Sequence, residues 1–423
     1  MSDVLTLHAC ATLVKSNVKP EAGGQRKYIG LEHIEQGTLR LSGTGLESDV
    51  ASTKAAFDKG DVLFGKLRPY FRKVVYAPFA GVCSTDIWVL RAKPGVDQRF
   101  LYYWVASQEF VDYAVQGSDG TRMPRANWSQ ASKHSIPFQT EYEQKAIAHI
   151  LGTLDDKIDQ LRKTNSVLED MASALFKSWF IDFDPVKAKQ ENRPTGLPKD
   201  VDDLVPDSFE DSALGPIPKG WRVGCVGDLC KLTKSSVNPG NFPHELFAHY
   251  SLPAFDEGQQ PKLESGTSIK SNKYLVPSDA VLLSKLNPHI PRIWMPDVST
   301  HHRPIASTEF LILCPKPGYS RELVYTLVTS QMFCQIYGTL VSGTTGSHQR
   351  VSPASVLDVA IVLPPEPIAN EFFDVTKHNA LRGHSNIHQI RTLTNLRDTL
   401  LPKLISGDLR VPEAEQMVAE LGL

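Results

Sequence analysis

Between Thr140 and Trp179 the chain places Ile147, Leu151, Leu154, Ile158, Leu161, Asn165, Leu168, Ala172, Leu175 and Trp179 at alternating steps of four and three, and all but Asn165 are apolar. A mean spacing of 3.5 keeps one stripe facing a partner helix, so the segment predicts a coiled-coil helix roughly 50 Å long. Thr140-Glu141-Tyr142-Glu143 forms a capping box at its start, in which hydroxyl and carboxylate each take a free backbone N–H. A second helix is predicted from about Pro367 to Ile405. Its stripe is less regular: Ile387, Ile390, Leu401 and Leu404 fit, Thr394 and Arg397 interrupt, and Gly407 is placed to cap the end. Both stripes need cover and lie in one chain, so the helices are expected to pair with each other. Asn165 is either a register-fixing polar residue or a tolerated one. Elsewhere Val62-Leu63-Phe64, Ile87-Trp88-Val89-Leu90 and Phe310-Leu311-Ile312-Leu313 read as strands and Phe100 to Val115 as a helix, giving domains of mixed α and β structure.

The pattern occurs twice. Lys15-Ser16-Asn17-Val18-Lys19-Pro20 returns as Lys234-Ser235-Ser236-Val237-Asn238-Pro239, and Lys66-Leu67-Arg68-Pro69 as Lys285-Leu286-Asn287-Pro288, both at an offset of 219. Ser84-Thr85-Asp86 returns as Ser307-Thr308-Glu309, Lys93-Pro94-Gly95 as Lys316-Pro317-Gly318, and Ser107-Gln108-Glu109-Phe110 as Ser330-Gln331-Met332-Phe333, all at 223. Five matches in one order with a slowly drifting offset indicate an internal duplication, each copy being a mixed domain followed by a long helix. Asp184 to Lys219, rich in Pro, Asp and Lys and without periodicity, reads as the connection between copies.

Composition narrows the class. An apolar fraction of 41% and a charged fraction of 22% over 423 residues are those of a globular chain of two or three domains. The longest apolar runs are far short of a membrane span. The opening Met1-Ser2-Asp3 has neither basic segment nor cleavage site, so a cytoplasmic location is expected. The cysteines, Cys10, Cys83, Cys225, Cys230, Cys314 and Cys334, form no C-x-x-C pair and suggest reduced, buried thiols. A net charge of −2 gives no global basic signal, but residues 1–139 hold 17 Lys or Arg against 13 Asp or Glu, while 182–214 hold 4 against 9. Cations are thus kept in a folded region and acids in the connection.

Several segments invite a chemical reading. Gly60-Asp61-Val62-Leu63-Phe64-Gly65-Lys66-Leu67 matches a phosphate-binding loop except that Leu67 stands where a magnesium-binding hydroxyl belongs, and its interior reads as strand. His384 and His388 share a helix face without a third ligand at a usual spacing, so no metal site is expected. No motif for acyl transfer, metalloprotease or methyl-transfer chemistry is present, and no catalytic residue or bound cofactor is predicted. What remains is a set of polar and basic clusters at corresponding places in both copies. Lys66, Arg68, Tyr70 and Arg72 crowd one turn, answered by Lys285, His289 and Arg292. The Gly-rich loops Gly117 to Arg125 and Gly343 to Arg350 carry Arg122 and Arg125 in one copy and Ser347, His348 and Arg350 in the other. Such loops suit backbone and arginine contacts with phosphate, and these twelve residues are the candidate DNA contacts.

Three segments resemble the specificity subunit of type I restriction–modification systems: Ser173-Ala174-Leu175-Phe176-Lys177-Ser178-Trp179-Phe180-Ile181-Asp182-Phe183-Asp184-Pro185-Val186, the opening Gly215-Pro216-Ile217-Pro218-Lys219-Gly220-Trp221, and Leu396-Arg397-Asp398-Thr399-Leu400-Leu401-Pro402-Lys403-Leu404-Ile405-Ser406-Gly407. The resemblance extends over essentially the whole chain. It implies an α/β mixed architecture of two α+β target recognition domains separated by an antiparallel pair of long coiled-coil helices, with pseudo-twofold duplication. The expected boundaries are 1–139 for the first domain, 140–183 for its helix, 184–214 for the linker, 215–365 for the second domain, 366–407 for its helix and 408–423 for a tail. It also implies that each domain reads half of a bipartite site in double-stranded DNA, with the helices as the ruler. Catalysis falls to partners in that family: two modification subunits using S-adenosylmethionine, and up to two restriction subunits using ATP. The first domain departs by lacking the Pro-x-Gly-Trp opening of Pro218 to Trp221. The second helix carries Ala369-Asn370-Glu371 where a fuller Glu-Gln motif is usual. A nucleotide-using enzyme resting on Gly60 to Lys66 and a coiled-coil adaptor without DNA are the competing classes.

Overall fold

A computed structural model describes residues 4–120, 122–297, 301–342, 349–420 and 422, which fall into two units: Met1–Arg162 with His388–Leu423, and Lys163–Ile387. Within the first unit, a four-stranded antiparallel sheet runs in the order Ala11–Leu13, Ile87–Ala92, Val62–Gly65, Val74–Tyr76. A five-stranded sheet runs Asn17–Val18, Lys54–Phe57, Gly81–Cys83, Lys27–Ile29, Gly45–Leu46, with one parallel pairing between Lys27–Ile29 and Gly81–Cys83. The second unit repeats both sheets strand for strand. Its four are Cys230–Thr233, Phe310–Pro315, Val281–Ser284 and Ile293–Trp294, and its five are Ser236–Val237, Lys273–Leu275, Arg303–Ala306, Leu246–Tyr250 and Lys262–Ser265. The parallel pairing recurs between Leu246–Tyr250 and Arg303–Ala306. The duplication is therefore one of topology as well as of sequence.

The four-stranded sheet explains why the runs Val62-Leu63-Phe64 and Ile87-Trp88-Val89-Leu90 are apolar at every position. Val62, Phe64, Trp88 and Leu90 point into one core and Leu63, Ile87, Val89 and Val75 into another, so both faces are covered and the alternation of a half-exposed strand is lost. The same partition sends Val281, Leu283, Leu311 and Leu313 to one side and Leu282, Phe310 and Ile312 to the other. The helix expected over Phe100 to Val115 is two, Gln98–Ala106 and Gln108–Gln116. Ser107 stands between them in an extended conformation, and its hydroxyl accepts from Phe110 N at 3.2 Å. Ser330 does the same for Phe333 N. The repeated Ser-Gln-x-Phe is thus an N-cap that starts a new helix where apolar periodicity alone runs straight through.

The long helices span Glu141–Phe180 and Glu366–Ser406. Thr140 and Glu143 form the capping box, and Gly407 closes the second helix at φ +79°. In the first unit Ile147, Leu151, Leu154, Ile158 and Leu161 are buried with Ile390, Leu401 and Leu404. In the second, Leu168 and Leu175 are half-buried, and Phe176, Trp179 and Phe180 close on Phe372. Within each unit the two helices run antiparallel, as the pairs Gln139 with Leu404, Asp155 with Arg397 and Asn165 with Asn386 record. Ile387 does not belong to the seam, being 45% exposed. The stripe of the second helix runs Ala369, Phe372, Thr376, Asn379, Gly383, Asn386, Ile390, Leu393, Arg397, Leu400, Leu404, an unbroken alternation of threes and fours in which several members are polar. An apolar count skips those members and shifts onto the neighbouring Ile387.

The connection and the tail are also structured. Asp184–Gln190 and Lys199–Asp202 are helical, Val186 and Val205 join the core of the second unit, and Lys189 Nζ donates to Val205 O at 2.8 Å. Val411–Ala419 is a helix that buries Ala414 and Val418 in the core of the first. Isolated apolar residues among many charges suffice, because each seats in a preformed core.

Candidate nucleic-acid interface

Lys66-Leu67-Arg68-Pro69 leaves the end of the strand Val62–Gly65 and is held from two sides. Lys66 N donates to Asp86 O (2.9 Å), Arg68 N to Pro124 O (2.7 Å) and Ala126 N to Lys66 O (2.9 Å), while Leu67 bridges Arg125. The turn is therefore one body with the short hairpin of Ser118–Asp119 and Arg125–Ala126. In the second unit Lys285 N donates to Glu309 O (2.9 Å), Asn287 N to Gln349 O (3.0 Å) and Val351 N to Lys285 O (3.0 Å), and Leu286 bridges Arg350. Each hairpin arginine meets an acid from the Ser-Thr-Asp or Ser-Thr-Glu turn. Arg125 Nε lies 3.1 Å from Asp86 Oδ1, and Arg350 grips Glu309 at 3.2 and 3.0 Å. Both guanidinium groups remain about half exposed, at 50% and 55%. A partly solvated pair of this kind contributes little to stability.

Arg68 and Asn287 share an unusual backbone. Both are non-glycine residues before proline in the left-handed region, at φ 52° and 53°. Neither is eased by glycine, and each is fixed by its hydrogen bond to the hairpin.

The sequence candidates divide on these grounds. Lys66, Arg68, Arg122, Arg125, Lys285, His289 and Arg350 lie on the two turns and hairpins, half-buried to exposed, and Tyr70 is exposed beside them with its ring edge-on to Phe71. Arg72 and Arg292 are scaffold instead. Arg72 Nε donates to Ala106 O at 2.7 Å, and burial pushes its pKa down. Arg292 is clamped by Asp256 at 2.6 and 2.9 Å with its side chain 16% exposed. Proximity in sequence to the turn could not reveal these partners. Ser347 and His348 lie outside the described residues. The acids Asp86 and Glu309, which brace the arginines, were visible only as members of a repeat, without a reason for their charge.

The phosphate-loop resemblance dissolves. Val62–Gly65 is a strand paired on both edges, with Val62, Leu63 and Phe64 fully buried, so its amides are engaged in the ladder and none forms an anion cradle. His384 presents Nε2 to Arg321 at 3.2 Å. Among the described residues no group of three or more His, Cys, Asp or Glu is placed to hold a metal, and no helix is long and apolar enough to cross a membrane.

Residues 1–170 match a family model described as the type I restriction modification DNA specificity domain. The chain is 27% identical over 350 residues to the type I restriction enzyme MjaIX specificity subunit of Methanocaldococcus jannaschii, covering 76% of this chain and 71% of that one. It is 23% identical over 411 residues to the HindI specificity subunit of Haemophilus influenzae, covering 84% and 88%. A shorter match, 33% over 138 residues, joins it to the EcoDI specificity subunit of Escherichia coli, covering 32% and 31%. The type I restriction–modification S subunit of M. genitalium shares the fold across 95% of both chains, with a TM-score of 0.52 at 15% identity.

Proposed function

We propose that this chain is a DNA specificity subunit of a type I restriction–modification system, and that each of its domains grips one half of a bipartite double-stranded target through its turn and hairpin. Its part in the complex is recognition, and catalysis lies with other subunits. The observation that carries the proposal is the recurrence, in both units, of a Lys-Leu-x-Pro turn locked to a hairpin whose half-exposed arginine is braced by an acid. Two such heads on one chain suit two half-sites, and antiparallel helices of fixed length suit a fixed spacer. Two modification subunits supplied with S-adenosylmethionine, and restriction subunits using ATP, are the partners in this reading, with the chain itself holding no cofactor and working in the cytoplasm.

The test is methylome sequencing of host DNA with this chain expressed beside its modification subunit, against the modification subunit alone. A bipartite motif methylated on adenine in both halves, present only with this chain, is the expected result. A soluble complex that adds no methylation contradicts it and brings forward the adaptor alternative.

A further inference from the structure

The two reading heads share their backbone arrangement, and within the four-residue Lys-Leu-x-Pro turn they differ at one place. Lys, Leu and Pro are the same in both turns, as is the hairpin arginine, Arg125 or Arg350, with its bracing acid. The residue that changes is the left-handed one, Arg68 in the first domain and Asn287 in the second. Any two half-sites share a phosphate backbone and differ in bases. Groups common to both heads suit phosphate, and a group that differs on an identical scaffold suits a base.

Three features set this position apart from the other cations of the turn. The chain holds a non-glycine residue in a strained conformation at the same point twice, though the side chains have nothing in common. Among the described residues, neither the Arg68 nor the Asn287 side chain has a hydrogen bond or ion pair, and Arg68 Nε is buried with no partner. Arg72 and Arg292 nearby are fully engaged by the protein. Donors that the protein leaves without a partner, on a rigid base, are what a base-reading side chain requires.

Resting on the DNA-specificity reading above, we infer that Arg68 and Asn287 are the paired base readers of the two domains, Arg68 taking the O6 and N7 edge of a guanine and Asn287 the N6 and N7 edge of an adenine. Arginine and asparagine are the side chains whose geometry matches those two major-groove edges bidentately. Each contact discriminates roughly ten- to a hundredfold against the wrong base.

The test determines the methylated motif of the wild-type complex and of complexes carrying Arg68→Gly, Asn287→Gly and Arg68→Asn. Glycine adopts the left-handed conformation without strain, so the first two variants remove the side chain and keep the turn, which an unchanged Tm checks. Arg68→Gly is expected to relax one guanine in one half-site by ten- to a hundredfold and to leave the other half-site untouched. Asn287→Gly is expected to relax one adenine in the other half-site, and Arg68→Asn to move the preference from guanine towards adenine. A motif unchanged at both positions overturns the inference. So does methylation that falls evenly with base preference retained, the mark of a phosphate contact. A folded variant complex that methylates nothing is read by selecting bound sequences from a random DNA pool, where retention of the wild-type preference is equally fatal. Failure of the DNA-specificity reading itself shows earlier, as a wild-type complex with no bipartite motif.

Discussion

In the unit built on the first domain the long helices meet through Leu151, Leu154, Ile158, Leu393, Leu400 and Leu404, with one charged layer. There Arg397, 4% exposed, donates to Asp155 at 2.8 Å, and Tyr103 from the domain donates to the other oxygen of that carboxylate at 2.8 Å. In the unit built on the second domain the same spacing is met by Thr376, Asn165 and Asn386, ending in an aromatic cluster of Phe176, Trp179, Phe180, Trp221 and Phe372. Asn386 Nδ2 donates to Asn165 Oδ1 at 2.7 Å, and Asn165 Nδ2 to Gly383 O at 3.3 Å. In the first unit the helix pair is tied to its domain by an ion pair and a tyrosine, and in the second by tilted and edge-on rings. The period specifies that two helices pair; the chemistry at the seam specifies which register they take.

The comparison breaks most visibly at Arg397. Arg397→Ala leaves Asp155 without its cation and is expected to cost about 3–5 kcal/mol, read by denaturant unfolding, whereas Arg397→Met with Asp155→Leu and Tyr103→Phe, which leaves no orphaned hydroxyl, recovers most of it. A single substitution as mild as a surface change would show that the aliphatic layers alone hold that end.

Acid sharpens the contrast next. His134, 4% exposed, accepts from Trp104 Nε1 through Nδ1 at 2.9 Å, and burial pushes its pKa down to about 4. Its place in the second unit is taken by Val359: Val226 N donates to Val359 O as Leu7 N does to His134 O. Because the folded imidazole resists protonation while the unfolded one takes a proton near 6.5, the stability is present above about 6.5 and is lost as pH falls towards 4. The loss approaches about 3 kcal/mol. Unfolding from pH 7 to 4, followed with and without His134→Gln, is expected to show a smaller loss in the variant. An unchanged pH dependence places the acid sensitivity elsewhere.

Asn165→Ala removes the acceptor of a buried amide and is expected to cost about 1–2 kcal/mol, with Asn386→Ala alone costing a similar amount and the pair less than the sum. Strict additivity in that double-mutant cycle would deny the asparagines a shared role. Smallest of all, Ile387→Ser is expected to stay within about 0.5 kcal/mol, since the side chain is exposed; a larger loss would return Ile387 to the seam.

How much of this was legible follows the same division. The first helix announces itself because its stripe is aliphatic, and the duplication because short motifs keep their order. The second helix was half-legible: Ile390, Leu401 and Leu404 stand out, but Asn386 and Arg397 carry the stripe through hydrogen bonds whose partners, Asn165 and Asp155, lie more than two hundred residues away. Ser107 and Ser330 look like ordinary helix interior until their extended backbone is seen. At the interface, the basic clusters were visible by composition. Separating Arg125 and Arg350 from Arg72 and Arg292 required their exposure and partners, because a guanidinium bound to a backbone carbonyl or clamped by Asp256 reads in sequence like a half-exposed one.

The central claim is that each domain touches DNA through its own turn and hairpin, and a hydroxyl-radical footprint of the assembled complex on its methylated target tests it most directly. Wild type is predicted to protect two separated patches, with Arg125→Glu erasing one and Arg350→Glu the other. Loss of both patches in either variant, or of neither, would contradict the account.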